Sequence, residues 1–388
     1  MGGSVRTIYF DYNATTPLDA GVREAMRPYL EETFGNPSSI HHVGRRARAF
    51  LDECRERVAQ TLGIKPGEVI FTSGGTESNN LAIVGMARRL ASKGRHLITS
   101  QVEHHAVLHP IDWLERHAGF TVTRLPVDAQ GRIDPLDLEQ AFRPDTVLVS
   151  IQAANNEIGT VQPVMEMSRA CRERGVVFHT DAVQWVGKLP LRSIKDLGAD
   201  LVSLCAHKIH GPKGAGILYV RSPLQPEPIL WGGGHENDRR AGTENLAGIA
   251  GMATAVEHFV TEPGFPADRL QELTALLEET VMGLAGQGVV LRSPRSGRLP
   301  NTVAFTVERA DAISLLAALD LEGVCASSGA ACSAGSLEPS HVILALGAGE
   351  AAARSLVRLS LGRESTAEDV ACVRRLLPDL IRRVQTPR

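Results

Sequence analysis

A lysine placed directly after an apolar run is a candidate nucleophile, and this chain has one at Lys208. In Leu201-Val-Ser-Leu-Cys205-Ala-His207-Lys208-Ile-His-Gly211-Pro-Lys213-Gly214-Ala-Gly216 the apolar stretch predicts a buried strand, and the Gly/Pro-rich segment predicts a turn into a second strand from Ile217 to Val220. A lysine at the mouth of a buried strand is partly desolvated, which lowers its pKa and makes its amine nucleophilic toward a carbonyl. The alternative for a single such residue is a solvated lysine in a β-turn, and Lys213 competes with Lys208 for the nucleophilic role. The partners found elsewhere in the chain weigh between these readings.

Those partners follow other predicted strands. Ser73-Gly-Gly75-Thr76-Glu-Ser-Asn opens a helix, where free N–H groups and the helix dipole favour a phosphate; no Lys-Ser/Thr pair follows the glycines, so it is not a Walker A loop. Val102-Glu-His104-His105 offers an imidazole that could stack on a flat ring or move a proton, against the plainer role of capping a helix. Asn155-Asn156-Glu-Ile-Gly159 is a polar turn. His179-Thr-Asp181-Ala-Val-Gln184 puts a carboxylate at a strand end, where burial demands a cationic partner such as a protonated pyridine nitrogen; a helix N-cap is the commoner use. Each signal alone is weak. Together they form a phosphate cradle, a stacking imidazole, a pyridinium carboxylate and a Schiff-base lysine, which is the equipment for pyridoxal phosphate.

The elements that must position this set alternate. Strands are predicted at 69–72, 96–100, 122–125, 146–152 and 176–179, with helices between them at 76–90, 105–117, 136–142 and 164–174. Helices at about 19–33 and 43–62 precede this run. The alternation argues for a mostly parallel sheet covered on both faces, with ligands at the carboxyl ends of its strands. The rhythm breaks after Val220. Pro-rich 222–228 leads to Trp231-Gly-Gly-Gly234 and a helix over 244–260, and Glu262-Pro-Gly-Phe-Pro266 reads as a domain joint. Helices at 268–284, 312–321 and 366–384 and strands at 289–291, 302–306 and 355–359 predict an α+β module. The expected division is a large unit over 15–260 and a small unit made of 1–14 and 261–388.

Bulk properties narrow the class. A chain of 388 residues with 43% hydrophobic and 22% charged content suits a soluble protein of two domains. With 41 basic and 44 acidic residues, the net charge of −3 gives no nucleic-acid or membrane footprint. No apolar run approaches the roughly 18 residues that span a bilayer. The N-terminal Met-Gly-Gly-Ser-Val-Arg lacks the apolar region of a secretory signal, so a cytoplasmic location is expected. Six cysteines, at 54, 171, 205, 325, 332 and 372, lack C-x-x-C spacing, so reduced thiols and no metal site are expected. Cys332 stands apart, in Ser327-Ser-Gly-Ala-Ala-Cys332-Ser-Ala-Gly-Ser-Leu-Glu-Pro339, where small residues suit a mobile loop that carries a nucleophile; the alternative is a small buried cysteine.

Taken with Asp11-Tyr-Asn13-Ala-Thr-Thr-Pro17, Ala206-His-Lys208-x-x-Gly-Pro-Lys-Gly and the reactive-loop motif, the sequence resembles the class V, fold-type I pyridoxal-phosphate enzymes, and among them the cysteine desulfurases of the NifS/IscS type. The resemblance runs from about Ile8 to the last helix. It implies that Lys208 carries the cofactor and moves the substrate α-proton, that His104 stacks on the ring, and that Asp181 pairs with the ring nitrogen. It further implies that Gln184 and Asn156 lie near the ring oxygen, that Gly75, Thr76, Cys205 and His207 hold the phosphate, and that Thr243 does so from the partner subunit of a homodimer. Arg358 becomes the clamp for the carboxylate of L-cysteine, with Asn13 and Asn156 nearby, and Cys332 accepts the sulfur as a persulfide while alanine is released. A sulfur acceptor such as an iron–sulfur scaffold or a tRNA-thiolating system then follows. Three positions depart from the pattern: Cys205 replaces a commoner serine, Ala330 replaces another, and the tail after the last helix is short, which weakens the expectation of a scaffold partner. Selenocysteine lyase, an aminotransferase and a sulfur carrier without turnover stay open as alternatives.

Overall fold

The computed structural model describes residues 6–260, 262–329 and 338–385. Its strands are β1 (Ile8–Tyr9), β2 (Val69–Thr72), β3 (His96–Ser100), β4 (Thr121–Leu125), β5 (Thr146–Ser150), β6 (Val177–Asp181), β7 (Leu201–Cys205), β8 (Gly216–Val220), β9 (Val289–Leu291), β10 (Thr302–Val307), β11 (Val324–Cys325) and β12 (Leu356–Ser360).

Seven of them form one sheet in the order β2-β8-β7-β6-β5-β3-β4. Pairs β7-β6, β6-β5, β5-β3 and β3-β4 are parallel, and β8 runs antiparallel to both β2 and β7. The expected mostly parallel α/β sheet is therefore present. Its strands are apolar at consecutive positions because both faces are covered. Alternation divides each pair of neighbours. Phe71, Ile98, Val149, Phe178, Val202 and Ile217 face the helices His42–Leu62, Val164–Glu173 and Leu246–Phe259. Ile70, Leu97, Leu148, Val177, Leu201 and Leu218 pack on 81–90 and on the helix His105–His117. Gly63 stops the first of these helices in the left-handed region at φ +68°, where a side chain would be strained.

A separate core lies around the antiparallel sheet β12-β10-β9 and the helices Ala267–Gly283, Ala312–Leu321 and Ala367–Val384. The N-terminal segment joins it, since β1 pairs in parallel with β11 and Asp11 bridges to Ser360. Sequence reading did not find β11 or the short helices His341–Ala345 and Glu350–Arg354, which are too brief to carry a period. Two edges differ in a way that touches the site. The strand expected over 146–152 stops at Ser150, and the one expected over 176–179 continues to Asp181, because the Asp181 backbone still pairs with Ser203 of β7. Asp181 thus closes its strand instead of following it. The helix expected over 76–90 includes a π-helical stretch, Leu81–Gly85.

Candidate active site

The carboxyl ends of β2, β3, β5, β6 and β7 open on one cavity of about 180 Å³. Gly75 and Thr76 come from the loop after β2, His104 from that after β3, and Asn156 from that after β5; Asp181 and Gln184 follow β6, and Cys205, His207 and Lys208 follow β7. Asn13 and Ala14 enter from the N-terminal loop, and Arg358 from β12. The sheet alone therefore does not build the site; the second core closes it. Thr243 is exposed and is not among the lining residues. Cys332 lies outside the described residues. Lys213 is exposed and does not line the cavity, which separates it from Lys208.

Lys208 stands in the single turn that follows β7, and its Nζ donates to the carbonyls of Asn13 and Ala14, the latter at 2.8 Å. Its amine is thus aimed into the cavity by backbone nearly two hundred residues away in sequence. Asp181 is 8% exposed; Asn79 Nδ2 donates to its Oδ2 at 2.6 Å and the Val183 N–H to its Oδ1 at 3.0 Å. Desolvation raises its pKa, opposed by these bonds and by Lys208. No guanidinium or ammonium pairs with Asp181 among the described residues, which leaves a buried carboxylate in want of a cation.

His104 caps the helix His105–His117, with its Nδ1 accepting the Ala106 N–H at 3.0 Å. That bond assigns the proton of the neutral ring to Nε2. Burial, then the charge of Lys208, holds its pKa down at about 4, so the imidazole is neutral. The capping role and the cavity role thus coexist in one side chain. His207 is depressed to about 4 by the same two causes, and its Nδ1 lies 3.2 Å from Thr15 Oγ1. Burial pushes the Cys205 thiol up to about 11, despite the backbone N–H groups of Lys208 and Gly75 that favour its anion. A Cβ on Gly75 would meet Val183 Cγ2 at 2.9 Å and Cys205 Cβ at 3.7 Å, so only glycine keeps this end of the cavity open.

Arg358 is 1% exposed, with Nη2 donating to Asp11 Oδ1 at 2.7 Å and Nη1 to the carbonyls of Asn156 at 2.9 Å and Gly329 at 3.2 Å. Its Nε is buried without a partner among the described residues. The backbone of Arg358 also bridges Ser327. Asn13 has a saturated amide: Nδ2 donates to Thr302 Oγ1 at 2.9 Å and to the Asn156 carbonyl at 3.2 Å, while Oδ1 accepts from Lys188 Nζ at 2.7 Å and Asn301 Nδ2 at 3.1 Å. Sequence reading named neither Asn79 nor Asp11 as site residues. Asn79 had a signal, since it lies one helical turn beyond Thr76; Asp11 had none until β12 brought Arg358 to it.

The group this donor set fits is pyridoxal phosphate. A protonated ring nitrogen supplies the countercharge Asp181 lacks, Lys208 meets an aldehyde, and the glycine-lined end has room for a phosphate. The sequence comparisons decide the lineage. The profile of the family described as aminotransferase class-V matches residues 8–373. A cysteine desulfurase IscS of Dictyoglomus turgidum is 49% identical over 381 residues, covering 98% of this chain and 96% of that protein.

This chain belongs to the class-V aminotransferase family, among its cysteine desulfurases.

Solved structures agree with that placement. A NifS-like protein superposes with a TM-score of 0.86 at 36% identity, over 97% of this chain and 99% of its own. Another, described as SspA in complex with cysteine, gives a TM-score of 0.81 at 38% identity, over 93% of this chain and 100% of its own. The cysteine desulfurase is a pyridoxal-phosphate enzyme of fold-type I, as the sequence motifs imply.

Proposed function

We propose that the cavity at the strand ends binds pyridoxal phosphate on Lys208 and L-cysteine against Arg358, and that Cys332 takes up the sulfur. The single observation that carries this reading is the convergence of Lys208, the unpaired buried carboxylate of Asp181 and the guanidinium of Arg358 on one cavity. Bound there, pyridoxal phosphate supplies an electron sink that acidifies the substrate α-proton and weakens its Cβ–S bond.

The protein's own groups do the rest. Asp181, held by Asn79 and Val183, keeps the ring nitrogen protonated. His104, a neutral ring with Nε2–H available to a proton transfer, would stack on the cofactor. Gly75, Thr76, Cys205 and His207 would hold the phosphate, with Thr243 of a second subunit joining them in a homodimer. Gln184 and Asn156, which line the same cavity, would hold the ring oxygen. Arg358, braced by Asp11 at the cavity, would hold the substrate carboxylate, and the Asn13 backbone carbonyl fixes the Lys208 amine that would take and return the α-proton. The Cys332 thiolate would attack the substrate sulfur; the S–S bond forms as the Cβ–S bond breaks, the bonding pair leaves with Cβ and takes up a proton there, and the products are alanine and a persulfide on Cys332.

The reading includes three further parts. The chain divides into a large unit, 15–260, and a small unit, 1–14 with 261–388, an arrangement supported by the two separate cores. The persulfide serves a sulfur acceptor protein. The enzyme works in the cytoplasm; no helix among the described residues is long and apolar enough to cross a membrane. The test is a visible spectrum of the purified protein followed by alanine and sulfide release from cysteine with a reductant. Yellow protein yielding equal alanine and sulfide is expected. Colourless protein that pyridoxal phosphate cannot restore would overturn the reading at Lys208.

A further inference from the structure

Lys188 is fully buried, with 0% exposure, and no carboxylate pairs with it among the described residues. Its Nζ donates to Asn13 Oδ1 at 2.7 Å and to Gln184 Oε1, and it lies 5.2 Å from the centre of the Phe265 ring. The charges of Lys208 and Arg358 oppose its own. An ammonium in such a place is costly, and an apolar side chain would fill the space more cheaply. What a lysine adds is donors, and both acceptors belong to residues that line the cavity.

The consequences run in two directions. With Oε1 taken by Lys188, the Gln184 amide must present Nε2 to the Asn13 carbonyl, at 2.9 Å, so its orientation is fixed. With Oδ1 taken by Lys188 and Asn301, the Asn13 side chain is held from behind, and the backbone carbonyl of the same residue is an acceptor for the Lys208 amine. Lys188 therefore touches the nucleophilic lysine through one intermediate residue and the cavity wall through another.

We propose that Lys188 is a positioning residue for the cofactor cavity, locking the Gln184 and Asn13 amides and, through Asn13, setting where the Lys208 amine rests. The proposal rests on the reading that this cavity holds pyridoxal phosphate on Lys208. Lys188→Met keeps the length and the burial and removes the donors. Its holoenzyme is expected to keep the parental far-ultraviolet circular dichroism, to show a visible cofactor band that is shifted or split, and to lose cofactor on dilution about tenfold faster than the parent. Lys188→Gln restores one donor and is expected to fall between the two in both readouts. A Lys188→Met holoenzyme with the parental band and the parental rate of cofactor loss would overturn the proposal. Should Lys188→Met not fold, Lys188→Gln carries the test alone, and an unaltered band and loss rate in it is the overturning result. A parent protein without any cofactor band is a different failure, one that removes the reading of the cavity itself.

Discussion

Arg358 and Asp11 stand 347 residues apart in sequence, yet their side chains meet at 2.7 Å, and Arg358 lines the cavity. The arginine is nearly inaccessible and the aspartate about one-fifth exposed, with side-chain exposures of 2% and 19%. The pair holds the guanidinium plane while its Nε stays unpartnered among the described residues. Arg358→Lys removes the fork and is expected to raise KM for cysteine about 10–100-fold with a smaller change in kcat, since uniform binding of the carboxylate is lost. Asp11→Asn keeps a weaker acceptor and is expected to give a smaller rise in KM. Steady-state kinetics check both; an unchanged KM in Arg358→Lys contradicts the clamp.

The two lysines after β7 have opposite expectations. Lys208→Ala is expected to lower turnover by at least about 10²–10⁴-fold, because the group proposed to move the α-proton is gone. Lys213→Ala, at an exposed site off the cavity, is expected to retain activity near that of the parent. Mass spectrometry after borohydride reduction should find the cofactor mass on a peptide containing Lys208.

For Cys332 the expectation comes from the sequence motif. Cys332→Ala should keep the yellow colour and still bind cysteine, yet form little alanine. Undiminished alanine formation in this variant removes the persulfide role.

Glu103 gives a pH prediction. It is fully buried, accepts from Ser100 Oγ at 2.5 Å and from the Gln152 N–H, and burial pushes its pKa up to about 8. Its ordinary value is 4.5, so between 4.5 and about 8 the folded state binds more protons than the unfolded state. Stability from this group is present at low pH and is lost as pH rises through that window. The histidines act in the other direction: the depressed pKa values of His104, His207 and His210, each about 4, favour the fold above about 6.5 and lose that contribution as pH falls toward 4. Glu103→Gln isolates the first effect. Relative to the parent, its unfolding free energy should rise by roughly 1–3 kcal/mol between pH 5 and pH 8.5 in urea titrations. Parallel pH profiles for the two proteins are the contrary result.

Cys205 tests the departure from the family pattern. The thiol faces the glycine-lined end of the cavity and is a poor donor. Cys205→Ser offers a stronger donor in nearly the same volume and is expected to tighten pyridoxal-phosphate binding about three- to tenfold, measured by titration of cofactor-depleted protein. Weaker binding would mean that the thiol makes room which the hydroxyl does not use.

Most of the scaffold was legible from local pattern. The apolar runs before Gly75, His104, Asn156, Asp181 and Lys208 specify strands buried on both faces, and the residues after them must then emerge at one end of a parallel sheet. That logic is local plus a topological rule, so the sequence by itself determined the sheet, most of its helices and nine of the cavity's lining residues as one constellation: Gly75, Thr76, His104, Asn156, Asp181, Gln184, Cys205, His207 and Lys208. It did not determine which charge answers which. Asn79 on Asp181, Asp11 on Arg358, Asn13 under Lys208 and Lys188 on Asn13 are contacts among polar groups far apart in sequence, and no period or spacing in the chain encodes them. Three of the four depend on the N-terminal loop, the C-terminal core or the turn after β6 arriving at the sheet, and only packing fixes where those segments meet. Buried donors and acceptors have to be paired, but with whom is decided by the tertiary structure alone.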